Sequence, residues 1–395
     1  MEKKLLIVSY FFPPFGEVGA VRITKFTKYL LRLGWKIKVI TVDEKYYKTL
    51  NTDWLKEVKE AEILRSRRTK IKIPGINEQG FYWLPFLFRT INGLLKKENF
   101  KISFWTGGPF YHWILAPYLK RRFGLKYILD FRDPWRLNPY RRPKSLFSYL
   151  ARILETIFEP LAIKEATYVI NVTEEATELY KNFYPAYREK FITIPNGFDP
   201  EDLQNIEPLS FSSFDIVYVG KFSNFRNPIP FLKAFKKLLV DKKLEPKDVR
   251  FVWIGKKEKN VIKYIKKLEL TDFVVMTGFK PYKEVLRYVK GAQLCLLITG
   301  NHPYEPTTKI FDYMGLKKRI LGITSVEGFV FKVLRKYPEG VICSNREGQI
   351  YEALSESWES KPINNFKEPT YINKFDRSLL SLELNRVLEE CLKLG

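Results

Sequence analysis

Histidine, cysteine and methionine are close to missing from this sequence, with two, three and three residues among 395. With only His112 and His302 available, no HExxH and no clustered His/Asp set occur, and no dedicated metal site is expected. Cys295, Cys343 and Cys391 lie far apart without a CxxC pair, which supports neither a disulfide framework nor a zinc site and fits a reducing cytoplasm. Long apolar runs are absent too, since none reaches the roughly 20 residues that span a bilayer. The opening MEKKLLIVSYFFPP places cations before an apolar stretch, but Pro13 and Pro14 cut it short and no small-residue cleavage site follows. It reads as a first strand. GxSxG and the phosphate-loop pattern GxxxxGK[ST] do not occur either.

Negative charge is also in short supply. The chain carries 68 lysines and arginines against 44 acids, a formal +24, and residues 1–150 alone hold 30 against 12. Such a field favours anionic partners: a phosphorylated substrate, an anionic membrane surface or nucleic acid. It equally suits the solvated surface of a heat-adapted protein. No RNA- or DNA-reading motif accompanies the charge, so nucleic acid is not expected as a partner.

What is present has globular proportions: 45% hydrophobic and 28% charged residues, in a length that suits two domains. Leu5–Ser9 is a short apolar run. After a loop, Ile23, Phe26, Leu30 and Leu33 recur at helical spacing until Gly34, and Ile37, Val39 and Thr41 alternate as a strand. This βαβ rhythm continues through a strand near Ile102–Trp105, a helix near Tyr111–Arg122 and a strand at Tyr127–Leu129. It restarts after the polar stretch Asp199–Ser213, with strands at Ile216–Val219, Phe251–Ile254, Phe273–Met276, Leu294–Ile298 and Arg319–Leu321. The reading is α/β: two Rossmann-like domains with parallel sheets, residues 1–197 and 198–375, and a C-terminal helix over 376–395 that packs back on the first domain. Ligands of such sheets collect at the carboxyl ends of the strands, so chemistry is sought in the strand-to-helix loops.

Four loops stand out. FPPFGEVGAVR brings Gly16 and Gly19 to a helix start, where bare backbone N–H groups can meet an anion or serve only tight turning; without a full GxGxxG it does not argue for NAD. YVGKFSNFRNP sets Lys221 and Arg226 five residues apart just past a strand end. Fixed cations there would stabilise a departing diphosphate, whose charge grows in the transition state. In GNHPYEPTTKIFDYM, Thr307 and Thr308 can cap a helix, Lys309 lies in its first turn, and Asp312 sits one turn on, where its carboxylate can accept from ribose hydroxyls. In YILDFRDPWRLNPY, Asp130 and Asp133 flank Arg132 and are the sole acids between Lys101 and Leu150. They are either ionic partners of Arg132 and Arg136 or retained for an acceptor hydroxyl. His112 and His302 both fall where they can reach a strand-end cleft or rest as tolerated surface residues.

Taken together and in order, the segments PPFGEVGAVR, DFRDPW, PNGFD (Pro195–Asp199), YVGKFSNFRN, TGFKPYKEV and PTTKIFDYM resemble the GT-B-fold glycosyltransferases of family 4 over nearly the whole length. The resemblance implies a retaining transfer of sugar from a nucleotide sugar, with the departing diphosphate taking the acceptor's proton and no protein nucleophile. By it, Lys221 takes the place of the family's arginine and Arg226 that of its lysine, which keeps both charges and exchanges point-charge for fork geometry. Gly19 matches the glycine that approaches the diphosphate, and Phe279 the position bordering the nucleotide base. Thr307, Thr308, Lys309 and Asp312 belong to the donor side. Asp133 orients the acceptor, with Asp130, Arg132 and His112 around it. The family commonly has two glutamates eight positions apart; here the second is Asp312 and the first falls on Tyr304, with Glu305 adjoining as a substitute. The resemblance also implies independence from metal and cofactor.

Phe81–Lys97 and Tyr140–Phe158 combine aromatics with cations on helical patterns. Such stripes serve as core or suit an anionic membrane interface, which makes a lipid-linked or cell-surface glycan acceptor, and peripheral attachment to the inner face of the plasma membrane, the expectation. Two other readings stay open: a nucleotide-sugar epimerase of the same fold, and a catalytically silent partner subunit that binds donor or lipid.

Overall fold

The computed structural model describes residues 2–70, 78–139, 145–300, 302–304, 307–325, 327–360 and 370–393. Two compact units emerge. One comprises Met1–Pro195 with Arg377–Gly395, the other Asn196–Asp376. Sequence reading set the borders at 197/198 and 375/376.

The first unit is built on a parallel sheet of seven strands: β1 (Lys4–Ser9), β2 (Lys36–Val42), β3 (Glu62–Ser66), β4 (Ile102–Thr106), β5 (Lys126–Phe131), β6 (Tyr168–Asn171) and β7 (Phe191–Thr193). They lie in the order β3-β2-β1-β4-β5-β6-β7. Its helices are α1 (Val18–Arg32), α2 (Asp53–Glu57), α3 (Gln79–Leu95), α4 (Leu115–Phe123), α5 (Leu146–Glu165) and α6 (Glu174–Phe183). Alternation along β1 divides the core: Leu6 and Val8 face α3, α4 and α5 through Trp83, Leu87, Leu119 and Ile163, whereas Leu5 and Ile7 face α1 through Ile23, Phe26 and Leu30. Strands covered on both faces favour apolar residues at successive positions, which is why Leu5–Val8 of β1 reads as an unbroken run. Gly34, at φ +85°, follows α1 in the left-handed conformation that ends a helix cheaply only at glycine.

The second unit repeats the plan with β8 (Phe214–Val219), β9 (Val249–Ile254), β10 (Val274–Gly278), β11 (Leu294–Ile298), β12 (Ile320–Ile323) and β13 (Gly340–Cys343), ordered β10-β9-β8-β11-β12-β13. All pairings are parallel. Its helices are α7 (Pro200–Leu203), α8 (Ile229–Asp241), α9 (Lys259–Lys267), α10 (Tyr282–Gly291), α11 (Lys309–Gly315), α12 (Phe329–Arg335), α13 (Glu347–Glu359) and α14 (Thr370–Asn373). The last helix, α15 (Arg377–Lys393), returns to the first unit, where Leu380, Leu384, Leu388 and Cys391 join Leu5, Ile7 and Phe26 in one cluster. Trp35 Nε1 donates to Asn385 at 2.7 Å beside it. Among the described residues no helix is long and apolar enough to cross a membrane.

Each sheet changes winding direction once, between β1 and β4 and between β8 and β11. In open parallel sheets, the crevice beyond the strand ends at such a point is where ligands settle.

Candidate functional site

In the second unit three neighbouring strands end on glycines with positive φ: Gly220 (+120°) after β8, Gly255 (+148°) after β9 and Gly278 (+78°) closing β10. Gly220 N–H donates to Ile254 O at 2.7 Å and Gly255 N–H to Gly278 O at 2.9 Å, so the three ends are laced together. A Cβ on Gly255 would meet Gly220 O at 2.4 Å. Backbones approach this closely only without side chains. The result is a rim of bare backbone.

The β8 loop is held from beneath. Trp253 Nε1 donates to Gly220 O at 2.8 Å, Tyr218 Oη donates to Lys221 O at 3.2 Å, and Tyr218 stacks on Phe222 with centroids 4.2 Å apart. Lys221 itself is exposed, and a tight turn from Ser223 to Arg226, closed by Arg226 N–H donating to Ser223 O at 3.0 Å, carries half-buried Arg226. From the other side of the winding change, the Lys309 ammonium lies over the Tyr218 ring at 4.3 Å, and a Cβ on Gly220 would fall 2.7 Å from its Nζ. The missing side chain is thus what admits Lys309 to the strand mouth. Lys309 and the Lys221 backbone, 88 positions apart in sequence, both border Gly220.

Asp312, half-buried in the first turns of α11, accepts from Tyr282 Oη at 2.9 Å, so α10 sets its rotamer. Sequence reading missed Tyr282; it opens α10 in TGFKPYKEV with nothing local to mark it. The expected threonine caps are not made: Thr308 is the N-cap in an α-helical conformation without a side-chain bond, and Thr307 is buried. Phe279 stands 67% exposed beside Gly278, an apolar ring with no core to enter. Tyr304 stacks against His302 with centroids 5.8 Å apart, and partial burial raises its hydroxyl pKa. Glu305 lies outside the described residues.

The first unit's strand ends sort the predicted acceptor residues differently. Asp130 is fully buried and receives Arg22 Nε at 3.1 and 3.2 Å, Arg22 Nη2 at 2.9 Å and Thr106 Oγ1 at 3.1 Å. Its ionic partner is therefore Arg22, not Arg132 or Arg136, and it has no surface to offer an acceptor. Arg22 continues to Ile194 O at 2.9 Å and Pro195 O at 2.8 Å, tying α1 to the last residues before the second unit. Arg132 spends its guanidinium on three carbonyls, Gly107 O at 2.8 Å, Gly108 O at 2.6 Å and Gly19 O, and so joins the loops after β1, β4 and β5. Gly19, in the first turn of α1, thus presents its carbonyl to Arg132. His112 is a correction as well: fully buried among Trp83, Trp105 and Trp113, it has neither ring nitrogen bonded within the described structure, and burial with Arg132 nearby pulls its pKa down to about 3. It is a neutral core residue. Asp133 alone of this group is exposed at the mouth.

Two family models match successive parts of the chain: Glycosyltransferase Family 4 over residues 19–202 and Glycosyl transferases group 1 over residues 201–306. No curated protein sequence matches it. Among solved structures it is similar to a glycosyltransferase from Rickettsia africae, at 16% identity and TM-score 0.71, and to sucrose-phosphate synthase from Thermosynechococcus elongatus, at 14% and 0.72; both comparisons cover 100% of each chain. A UDP-GlcNAc 2-epimerase from Methanocaldococcus jannaschii, in complex with UDP-GlcNAc and UDP, matches 98% of this chain and 99% of its own at 12% identity and TM-score 0.55. At these identities the likeness is one of fold.

Proposed function

Since the chain belongs to the GT-B-fold glycosyltransferases of family 4, we propose that it moves a sugar, with retention of configuration, from a nucleoside diphosphate sugar bound at the β8–β11 mouth to a hydroxyl of a lipid-linked or cell-surface glycan precursor. The supporting observation is the juxtaposition at Gly220: a strand-end glycine whose missing side chain lets the Lys309 ammonium sit against it, with Lys221 next in the chain. Cations held rigidly where charge develops lower the barrier without reorganising. In this reading Lys221, Arg226 and Lys309 take up the charge of the leaving diphosphate, which a metal ion supplies in other transferases. Asp312, its rotamer set by Tyr282, accepts from ribose hydroxyls. Phe279 offers its exposed ring to the base. Asp133 orients the acceptor hydroxyl, whose proton passes to the departing diphosphate, while Arg132 shapes the mouth by holding three loops together. Thr307 and Thr308 contribute through backbone groups ahead of α11. The basic first unit suits an acceptor at an anionic membrane on the cytoplasmic side.

The test is thermal unfolding with a panel of nucleoside diphosphates and their sugars. Ligand at a hundredfold excess over its Kd stabilises by about 2.7 kcal/mol, and the gain should vanish in Lys221→Ala/Arg226→Ala, whose kcat falls by roughly 10²-fold or more. If no diphosphate stabilises the wild type, or the double variant responds equally, the donor lies elsewhere. Conversion of a nucleotide sugar with no acceptor present would point to the epimerase reading, and absence of transfer from every donor to the silent subunit.

A further inference from the structure

Helix α5 buries Ala162 and Ile163 in the core, yet turns a second apolar stripe outward. Over its 20 residues, the acids Glu155 and Glu159 are buried, while Leu146, Tyr149, Leu150, Ile153 and Ile157 are 72, 57, 48, 42 and 55% exposed. Those five recur at spacings of three or four, so they form one stripe, about 17 Å long at 1.5 Å per residue. The buried acids are held from within. Glu159 accepts from Arg136 N–H at 2.8 Å, Tyr184 Oη at 2.8 Å and Tyr180 Oη at 3.2 Å, and Glu155 accepts from Arg152 Nη1 at 3.1 Å. A single exposed leucine is ordinary; a whole solvated stripe beside buried carboxylates is a surface awaiting cover.

The surroundings say what covers it. α4 lies against α5, and α3 against α4, all on the same face of the sheet. Their outer sides add Phe88 and Tyr118, with centroids 5.4 Å apart, and the exposed cations Arg89, Lys96, Lys97 and Arg122. Across Gln79–Phe123 the one acid besides these cations is Glu98, which is engaged by Lys4 and Lys38. The remaining acid of α5, Glu165, is paired with Arg121 at 2.7 Å. An exposed apolar and aromatic stripe, with exposed cations on the adjoining helices and no exposed carboxylate on α3, α4 or α5, matches the headgroup and acyl boundary of an anionic bilayer, where aliphatic groups enter the hydrocarbon and arginine or lysine meets phosphate. We propose that the exposed stripe of α5 docks this enzyme on an anionic lipid surface, lying in the plane of the interface. The proposal rests on the lipid-linked acceptor reading and adds the surface by which that acceptor is reached. It also gives Glu159 a use: through Arg136 N–H it joins the docking helix to the loop that carries Asp133.

Co-sedimentation with phosphatidylglycerol-containing vesicles and with pure phosphatidylcholine vesicles, at low and physiological salt, tests it. Wild type should pellet with the anionic vesicles and be released by salt. Leu150→Glu/Ile153→Glu should bind at least about tenfold more weakly, while the volume-conserving Leu150→Ile/Ile153→Leu keeps binding. A nucleoside diphosphate thermal shift on both variants shows that the fold and donor mouth are intact. Wild type that binds donor yet stays in the supernatant at low salt overturns the docking surface and leaves the donor assignment standing. So does a glutamate variant that pellets like wild type. A concentration-dependent dimer, dispersed by Leu150→Glu/Ile153→Glu without any vesicle binding, would assign the stripe to a second copy instead. Transfer to a detergent-solubilised lipid acceptor examines the acceptor reading by itself.

Discussion

Asp130 and Asp133 stand three positions apart and in opposite circumstances. Asp130 closes a buried ion pair with Arg22 and a bond from Thr106; Asp133 is exposed one turn of loop later. Removing one member of a buried pair leaves the other charged and unsolvated, so Asp130→Ala should lower the unfolding free energy by about 3–5 kcal/mol in urea titrations. Asp133→Ala should shift stability by no more than about 0.5 kcal/mol, keep the diphosphate-induced thermal shift, and cut the transfer rate by about 10²-fold. Equal stability losses in the two variants would contradict this division. His112 carries the same lesson, since a rare polar residue beside a strand end looks like a functional group, and only its tryptophan surroundings show it to be core.

At the scale of the element, α5 is where local pattern and packing part company. Aromatics and aliphatics at helical spacing predict a stripe, yet the stripe faces out and the carboxylates face in, because Tyr180, Tyr184 and the Arg136 N–H supply the bonds that make Glu159 tolerable inside. Burial still pushes the Glu159 carboxyl up to about 7 from an ordinary 4.5. A carboxyl that binds its proton more tightly when folded contributes stability fully below the unfolded value, near 4.5, and loses it as pH rises through 7. The loss amounts to about 3 kcal/mol. The check is the unfolding free energy of wild type against Glu159→Gln at pH 5 and pH 8: the variant should gain on wild type by that order across the window, and a difference independent of pH would refute it. The strand-end glycines show the converse. The strand ends near Gly220, Gly255 and Gly278 were readable from their apolar runs to within two residues, but that these ends lock together depends on β10, β9 and β8 being neighbours.

For the whole molecule, the chain leaves the first unit at Pro195 and comes back at Arg377, so the C-terminal helix is part of the N-terminal core. Leu384 and Leu388 are fully buried on β1 and α1 side chains. Leu384→Ala/Leu388→Ala should therefore destabilise the first unit, each truncation costing about 2–5 kcal/mol. Differential scanning calorimetry should show one lowered transition and a second that nucleoside diphosphate still raises; a single transition moving as a whole would argue against it.

The two-sheet α/β plan and most strand positions were legible in the chain, because strands buried on both faces favour continuous apolar runs; so was the placement of Lys221 and Arg226 just past a strand end and of Asp312 in the first turns of a helix. The short strands β3, β6, β7 and β13 were not read from the chain, since three to five residues carry too little pattern. Which cations converge, which acid is buried and which way an amphipathic helix turns were set by contacts between residues distant in sequence: Arg22 with Asp130 across 108 positions, Tyr282 with Asp312 across 30, Lys309 against Gly220. Hydrophobic periodicity is a local property and survives in the sequence. Burial and charge pairing depend on which strands lie side by side, and that ordering exists only once the sheet has formed.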